Sequence, residues 1–381
     1  MSALQGKDLV ALVRSAFPRL SGDRALGILV DVPRDGARDN PDWAARRRMA
    51  ADWFAALRES RGEIQVETVR LVAYPDVGSN NADLPADAVL VEGTLPETAD
   101  RLPSCGRTVA FEDILRDTQI LLAPTEYSTT APLKIAGKRL GFRAATMPGF
   151  AASMIPALRV DYAEVARRVD LIKERLDRAT AADIRFAADD GRDFDMHFDL
   201  RHRTAHASSG RFVERGTAGN LPSGEAYIVP YEGERGTPSA TAGRLPVQIG
   251  GEIVVFAVEE NRAREVEGEG AAAAERDHLR REPAYGNMAE LGFGVLGDFG
   301  VEPVGELLLD EKLGFHVAFG RSDHFGGAVG PGDFSSPGEV IHLDRIYVQA
   351  TQPRIRVASL TLAYPDGSRE KLMADGAFTI F

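Results

Sequence analysis

Apolar positions in the first third of the chain come in short unbroken runs, separated by stretches with helical spacing. Ala25 to Val32 is an apolar run of the length of a buried strand. Asp42 to Arg58 sets Trp43, Met49, Trp53 and Leu57, with Ala45 and Ala56, along one side of a helix. Ile64 to Ala73, Ala88 to Val91 and Gln119 to Leu122 supply further strands. Strands separated by helices predict a small α/β domain with a mainly parallel sheet over residues 1–160. Tyr162, Val165, Val169, Ile172 and Leu176 then recur at helical spacing from Asp161, a natural cap, to Ala179, which reads as a connector between domains. From Ala182 the period shortens to two. Asp183 to Ala188 is followed by Asp193 to Leu200, where Phe194, Met196, Phe198 and Leu200 alternate onto one face. Glu252 to Val258, Glu306 to Leu309, Phe315 to Phe319 and Arg354 to Leu362 continue as strands, and Tyr364-Pro365-Asp366-Gly367 reads as a turn before a closing strand. The fold class expected is α/β, with a strand-rich α+β domain over residues 161–381.

Composition narrows the functional classes. With 381 residues and 44% hydrophobic positions the chain can fill two cores. A formal charge of −12 without a basic stripe argues against a nucleic-acid partner. The Arg46-Arg47-Arg48 run is expected on a solvated helix face rather than at an anion site. Met1 to Leu12 shows no long apolar core after a basic start, so no secretory signal is expected, and no apolar run has the roughly 20 residues of a membrane span. One cysteine, Cys105, allows no intramolecular disulfide and no cysteine-based zinc site, and it reads as an inert thiol in a reducing, cytoplasmic compartment. There is no internal repeat, and Glu267 to Glu275 is the one biased segment.

Chemistry concentrates after residue 220. Glu225, Glu290, Glu311, His316, His342 and Asp344 are the oxygen and imidazole ligand types that hold hard or borderline divalent cations. His342 and Asp344 are two apart on a predicted strand, so both side chains reach one ion while Ile341 and Leu343 point toward a core. His197, His202 and His206 form a second histidine group, read as solvated or structurally paired, and His278 lies in a charged stretch expected at the surface.

Four blocks carry a family resemblance. Gly219-Asn220-Leu221-Pro222-Ser223-Gly224-Glu225-Ala226-Tyr227-Ile228-Val229-Pro230, Ala289-Glu290-Leu291-Gly292-Phe293-Gly294, Asp310-Glu311-Lys312 with His316-Val317-Ala318-Phe319-Gly320, and His342-Leu343-Asp344 resemble the aminopeptidase T family of metallo-aminopeptidases in order and spacing. A weaker block, Phe142 to Gly149, extends the likeness, which covers roughly residues 125 to 350. The resemblance implies two divalent ions (zinc, cobalt or manganese) held by Glu225, Glu290, His316, His342 and Asp344, with Glu311 as a further ligand or a base; Glu290, central in the order of ligands, is the candidate for the bridge. It also implies a homodimer that cleaves N-terminal residues from peptides.

The chain departs from that family at one position. Seven residues after His316, where the aminopeptidases place a catalytic tyrosine, stands Asp323, with His324 beside it. A lost oxyanion donor typically lowers turnover by about a hundredfold or more. An ionised Asp323 cannot donate, whereas His324 can, and Arg321 is a candidate for a substrate carboxylate. The 2,5-dihydroxypyridine dioxygenases resemble a second branch of the same superfamily, with one iron held by two histidines and an aspartate. There, His342 and Asp344 match two ligands, but the third position is Glu290, and Glu225 and His316 have no counterparts. Ligand identity therefore favours hydrolysis. The alternatives are ring cleavage with iron, or an altered relative that binds a peptide or small molecule.

Overall fold

Every second residue of the strands Glu225–Ile228, Met288–Gly294 and Phe315–Gly320 is apolar, and this alternation organises the second half of the molecule. A computed structural model describes residues 4–381. The chain forms two units: residues up to Ala166 together with Gly210–Ser223, and Arg167–Ser209 together with Gly224–Phe381.

The first unit contains one seven-stranded sheet. Its order is Ala218–Asn220, Arg143–Thr146, Ile120–Ala123, Ala25–Val32, Thr68–Pro75, Asp87–Val91 and Gly106–Ala110. The first five strands pair in parallel and the last two are antiparallel, so the mainly parallel α/β domain is as expected. Ala25–Val32 is buried along its whole length, as a strand covered on both faces must be. Thr68–Pro75 begins later than the apolar run that starts at Ile64, because Gln65 adopts a left-handed φ of 58° that no strand continues through. Arg46 and Arg47 correct the solvated-face expectation. On the helix Pro41–Glu59 both are buried; Arg46 donates to the carbonyl of Phe150 and pairs with Glu126, while Arg47 pairs with Asp39 at 2.7 Å. A buried guanidinium is tolerated where such partners exist.

The second unit holds two antiparallel sheets. The larger has eight strands, in the order Arg262–Glu267, Glu252–Glu259, Ala242–Ile249, Asp193–Asp199, Ala181–Ala188, Ile355–Ala363, Arg369–Ala374 and Ala377–Phe378. The smaller runs His342–Ile346, Phe315–Gly320, Met288–Gly294, Glu225–Ile228 and His206–Ser208. One face of the smaller sheet presents Ala226, Ile228, Leu291, Phe293, Phe315, Val317 and Phe319, all buried. This face packs on the larger sheet, with Phe319 against Phe256 at 4.9 Å between ring centroids and Phe315 against Phe186 at 6.4 Å. Apolar positions at period two thus fix one face to the core and leave the other for chemistry.

Glu306 to Leu309 is not a strand. Leu307–Asp310 is one helical turn, and the Asp310 carboxylate accepts the main-chain N–H groups of Val304 and Gly305, both at 2.9 Å, which folds the segment back on itself. Four apolar residues carry too little periodicity to separate strand from helix. The Tyr364 to Gly367 turn is present, closed by the Gly367 N–H on the Tyr364 carbonyl at 3.0 Å. No helix among the described residues is long and apolar enough to cross a membrane.

Candidate metal centre

The face of the smaller sheet opposite the core carries Glu225 and Tyr227 on one strand and Glu290, Gly292 and Gly294 on the next. His316 and Ala318 follow on the third, and His342 and Asp344 on the fourth. Antiparallel register sets Gly292 beside His316, and Ala318 between Glu290 and Asp344. Glycine and alanine leave the space above the sheet to the long ligand-type side chains. Gly292 is the clearest case: a Cβ there would stand 1.9 Å from His316 Nε2, because the imidazole lies across it.

Two groups of ligand atoms result. Glu225, Glu290 and His316 form one, and Glu290, His342 and Asp344 the other, with one donor atom from each residue within 4.8 Å of the others. Glu290 belongs to both: its Oε1 is 3.4 Å from His316 Nε2 and its Oε2 is 3.4 Å from His342 Nε2. Asp344 Oδ1 lies 3.6 Å from His342 Nε2 and 4.0 Å from His316 Nε2.

The imidazoles are oriented from behind. His316 Nδ1 donates to the Gly314 carbonyl at 3.2 Å and His342 Nδ1 to the Arg321 carbonyl at 2.7 Å, so each Nε2 is turned toward the carboxylates. Main-chain carbonyls that hold Nδ1–H in this way are the usual support of metal-binding histidines. A neutral Nε2 facing carboxylate oxygens has lone pairs on both sides. That arrangement is stable only with a proton or a cation between them. Without an ion the proton takes the place: burial alone would lower His316, but the Glu290 hydrogen bond and the charges of Asp344, Glu290 and Glu225 push it up to about 9. For His342, burial is likewise outweighed, by hydrogen bonds to Asp344 and Glu290, and its pKa reaches about 11. Burial raises Glu290 and Asp344, yet the same imidazoles hold both below the usual carboxylate range.

Glu225 and Glu311 meet a different cation. The buried Lys312 ammonium donates to Oε1 of each. Glu225 Oε2 is buried with no hydrogen-bond partner, 3.8 Å from His316 Nε2. An orphaned buried carboxylate oxygen aimed at an imidazole nitrogen, among two further carboxylates, fits a divalent cation in ligand type and placement. Glu311 stands outside both groups. Burial, with repulsion from Glu225 and Asp344, raises it to about 8 against the pull of Lys312.

A loop borders the centre. Gly320 (φ 97°) ends its strand, and Glu232 anchors the loop by accepting from Ser322 Oγ at 2.5 Å, from Asn287 Nδ2 at 2.8 Å and from the Ala328 N–H. Arg321 Nε donates to Asp323 Oδ1 at 2.5 Å, and this hydrogen bond, with the charge behind it, keeps Asp323 ionised. His324 lies against Phe325, ring centroids 3.9 Å apart and tilted by 36°, and meets His342 edge-on at 5.2 Å. Burial, then the charges of His342 and Arg321, lower its pKa, so it is a neutral donor.

Among the residues singled out in the sequence, Glu225, Glu290, His316, His342 and Asp344 converge. Glu311 adjoins them through Lys312 and His324 through His342, while Arg321 and Asp323 face each other. Ile341 and Leu343 are half-buried rather than core residues; Ile341 packs on a small cluster of Ala284, Val329 and Phe334. His197 pairs with Asp183 at 2.7 Å, His202 meets Tyr231, and His206 stacks on Tyr227. None of the three joins a ligand group. His278 is half-buried against Tyr285 at 4.1 Å, and the Cys105 thiol donates to the Arg101 carbonyl at 3.2 Å. Sequence reasoning passed over Tyr227 and Lys312. Tyr227 is two residues from Glu225 and shares its face, which the strand period alone indicates. Nothing local marks Lys312 as buried.

No family model matches the chain, and no curated protein matches it by sequence. Its fold is that of two solved structures. One is a 2,5-dihydroxypyridine dioxygenase from Pseudomonas putida KT2440, with 14% identity and a TM-score of 0.59 over 99% of this chain and 97% of that one. The other is wild-type AmpT from Thermus thermophilus, with 14% identity and a TM-score of 0.52 over 98% of this chain and 99% of that one. Both branches suggested by the sequence blocks therefore share this fold.

Proposed function

We propose that the chain is a divalent-metal-dependent hydrolase that cleaves the N-terminal amide bond of short peptides. The observation that carries this reading is Glu290, whose two carboxylate oxygens each face the Nε2 of a different, separately oriented histidine. Glu225 and His316 would hold one ion and His342 and Asp344 the other, with Glu290 common to both groups. Ions bound there supply Lewis acidity toward a substrate carbonyl and make water a stronger acid. Glu311, with a proton affinity near neutrality, accepts the proton released by the attacking water and returns it to the leaving amine. Lys312 ties Glu311 to Glu225, a member of the centre. Neutral His324 donates to the developing oxyanion in place of the tyrosine that Asp323 replaces, and Arg321 holds Asp323 out of that role. AmpT and the dioxygenase both share the fold, which is compatible with this reading and with the second one below.

The test is a panel of amino-acid anilides and dipeptides with zinc, cobalt or manganese, run on the wild type and on Glu290→Gln. Turnover that requires added metal and disappears in Glu290→Gln supports the proposal. Silence of the metal-loaded wild type across the panel ends it. One observation favours a second reading: Asp344 Oδ1 lies within 4.0 Å of both His316 and His342 Nε2, the two-histidine, one-carboxylate set of iron oxygenases. Iron-dependent oxygen consumption with a dihydroxylated pyridine would establish it.

A further inference from the structure

The two ligand groups are not equivalent. Glu290–His342–Asp344 is composed of two carboxylates and an imidazole, and among the described ion pairs neither Glu290 nor Asp344 meets a lysine or arginine. Glu225–Glu290–His316 has the same composition, but Lys312 is already in place there. Its side chain is 5% exposed, and its ammonium donates to Oε1 of Glu225 and of Glu311. Only Oε2 of Glu225 is without a partner. A lysine ammonium is a compact point charge, and at this depth it stays fixed beside any ion that uses Glu225.

We infer that Lys312 is a built-in cation that makes the centre bind its ions unequally, the first tightly at Glu290–His342–Asp344 and the second weakly at Glu225–Glu290–His316. The inference rests on the metal-centre reading proposed above. Repulsion between a fixed positive charge and a divalent ion a few ångströms away, even at the effective dielectric of a protein, lowers affinity by at least about tenfold. The tight ion then stays with the protein, while the second is recruited only at higher metal concentration. Lys312 also orients Glu225, and the two effects have opposite signs. If orientation dominates, removing the lysine weakens the second ion. If charge dominates, removing it tightens the second ion.

Chelator-treated protein titrated with manganese, followed by calorimetry and by metal content after desalting, separates these outcomes without reference to activity. The wild type should retain one ion per chain and bind a second at least about tenfold more weakly. Lys312→Met should tighten the second ion by at least about tenfold and the first, whose Asp344 feels the same charge from farther off, by less, whereas Lys312→Arg should keep the second weak. Lys312→Met leaves two buried carboxylates without a counterion. Should it fail to fold, Lys312→Met/Glu311→Gln compared with Glu311→Gln makes the same test with one carboxylate fewer. A second ion that is unchanged or weaker in the folded variant overturns the inference, as do two equally tight ions in the wild type, which would leave the metal centre standing. A wild type that binds no ion refutes the metal centre itself.

Discussion

Gly292→Ala adds one methyl group at the point where the site is tightest. The new Cβ would stand 1.9 Å from His316 Nε2, 2.1 Å from Cε1 and 2.6 Å from Cδ2. Ordinary contact begins near 3.4 Å, so the imidazole must retreat by about 1.5 Å. It has nowhere easy to go: His316 is 1% exposed, and its Nδ1 is held by the Gly314 carbonyl. Overpacking of this kind costs about 1–3 kcal/mol, which lowers the melting midpoint by several degrees. The larger effect falls on the ion. A displacement of about 1.5 Å takes Nε2 out of coordinating distance of any ion shared with Glu225 and Glu290, where a metal–nitrogen bond is about 2.0–2.1 Å long. The Glu290–His342–Asp344 group does not use this ring. Titration of Gly292→Ala with manganese should therefore lose the second binding event, or weaken it by about 10–100-fold, while one ion is retained after desalting. An unchanged second event in a folded Gly292→Ala would show that His316 is not a ligand.

Four further outcomes are expected. Metal affinity should rise with pH between 6.5 and 9, by about tenfold per unit for each proton displaced, because His316 and His342, raised to about 9 and about 11, hold protons that an ion must expel; calorimetry in buffers of different ionisation enthalpy counts them. The stability of the metal-free protein should move the other way: Glu311 and His316 are raised on folding from 4.5 to about 8 and from 6.5 to about 9, so what they contribute is complete at low pH and is lost progressively as pH climbs to about 8 and 9, lowering the melting midpoint over that range. His324→Ala should lower turnover by roughly ten- to a thousandfold at constant metal content and Asp323→Tyr should raise it, whereas equal rates for wild type and His324→Ala would remove His324 from the mechanism. In the first unit, Asp23→Ala leaves Arg143, fully buried and paired with Asp23 at 2.6 Å, without its carboxylate; chemical denaturation should show a loss of about 3–5 kcal/mol, and a loss under about 1 kcal/mol would contradict the importance of this pair.

The sequence made strands legible where burial is complete or strictly alternating. Ala25–Val32 is apolar at nearly every position, and Phe315–Phe319 alternates, because a sheet face in contact with a core tolerates little else. Boundaries and short runs were less legible. The left-handed Gln65 and the helical turn at Leu307–Asp310 depend on contacts that hydropathy does not encode. The ligand-type residues were visible from residue type and order. Their grouping was not, since it depends on which strands of the smaller sheet are neighbours, and Glu290 lies between histidines 26 and 52 positions away in the chain. Buried charges were the least legible. Arg46, Arg47 and Lys312 look like surface residues in sequence and are enclosed only because Glu126, Asp39, Glu225 and Glu311 reach them from distant segments or, for Glu311, from the adjacent position.

Anomalous diffraction from crystals soaked in manganese tests the central claim most directly. The account predicts an anomalous peak in contact with Glu290, His342 and Asp344, and at higher manganese a second, weaker peak in contact with Glu225, Glu290 and His316. Anomalous density elsewhere on the molecule, with none touching Glu290, would contradict it.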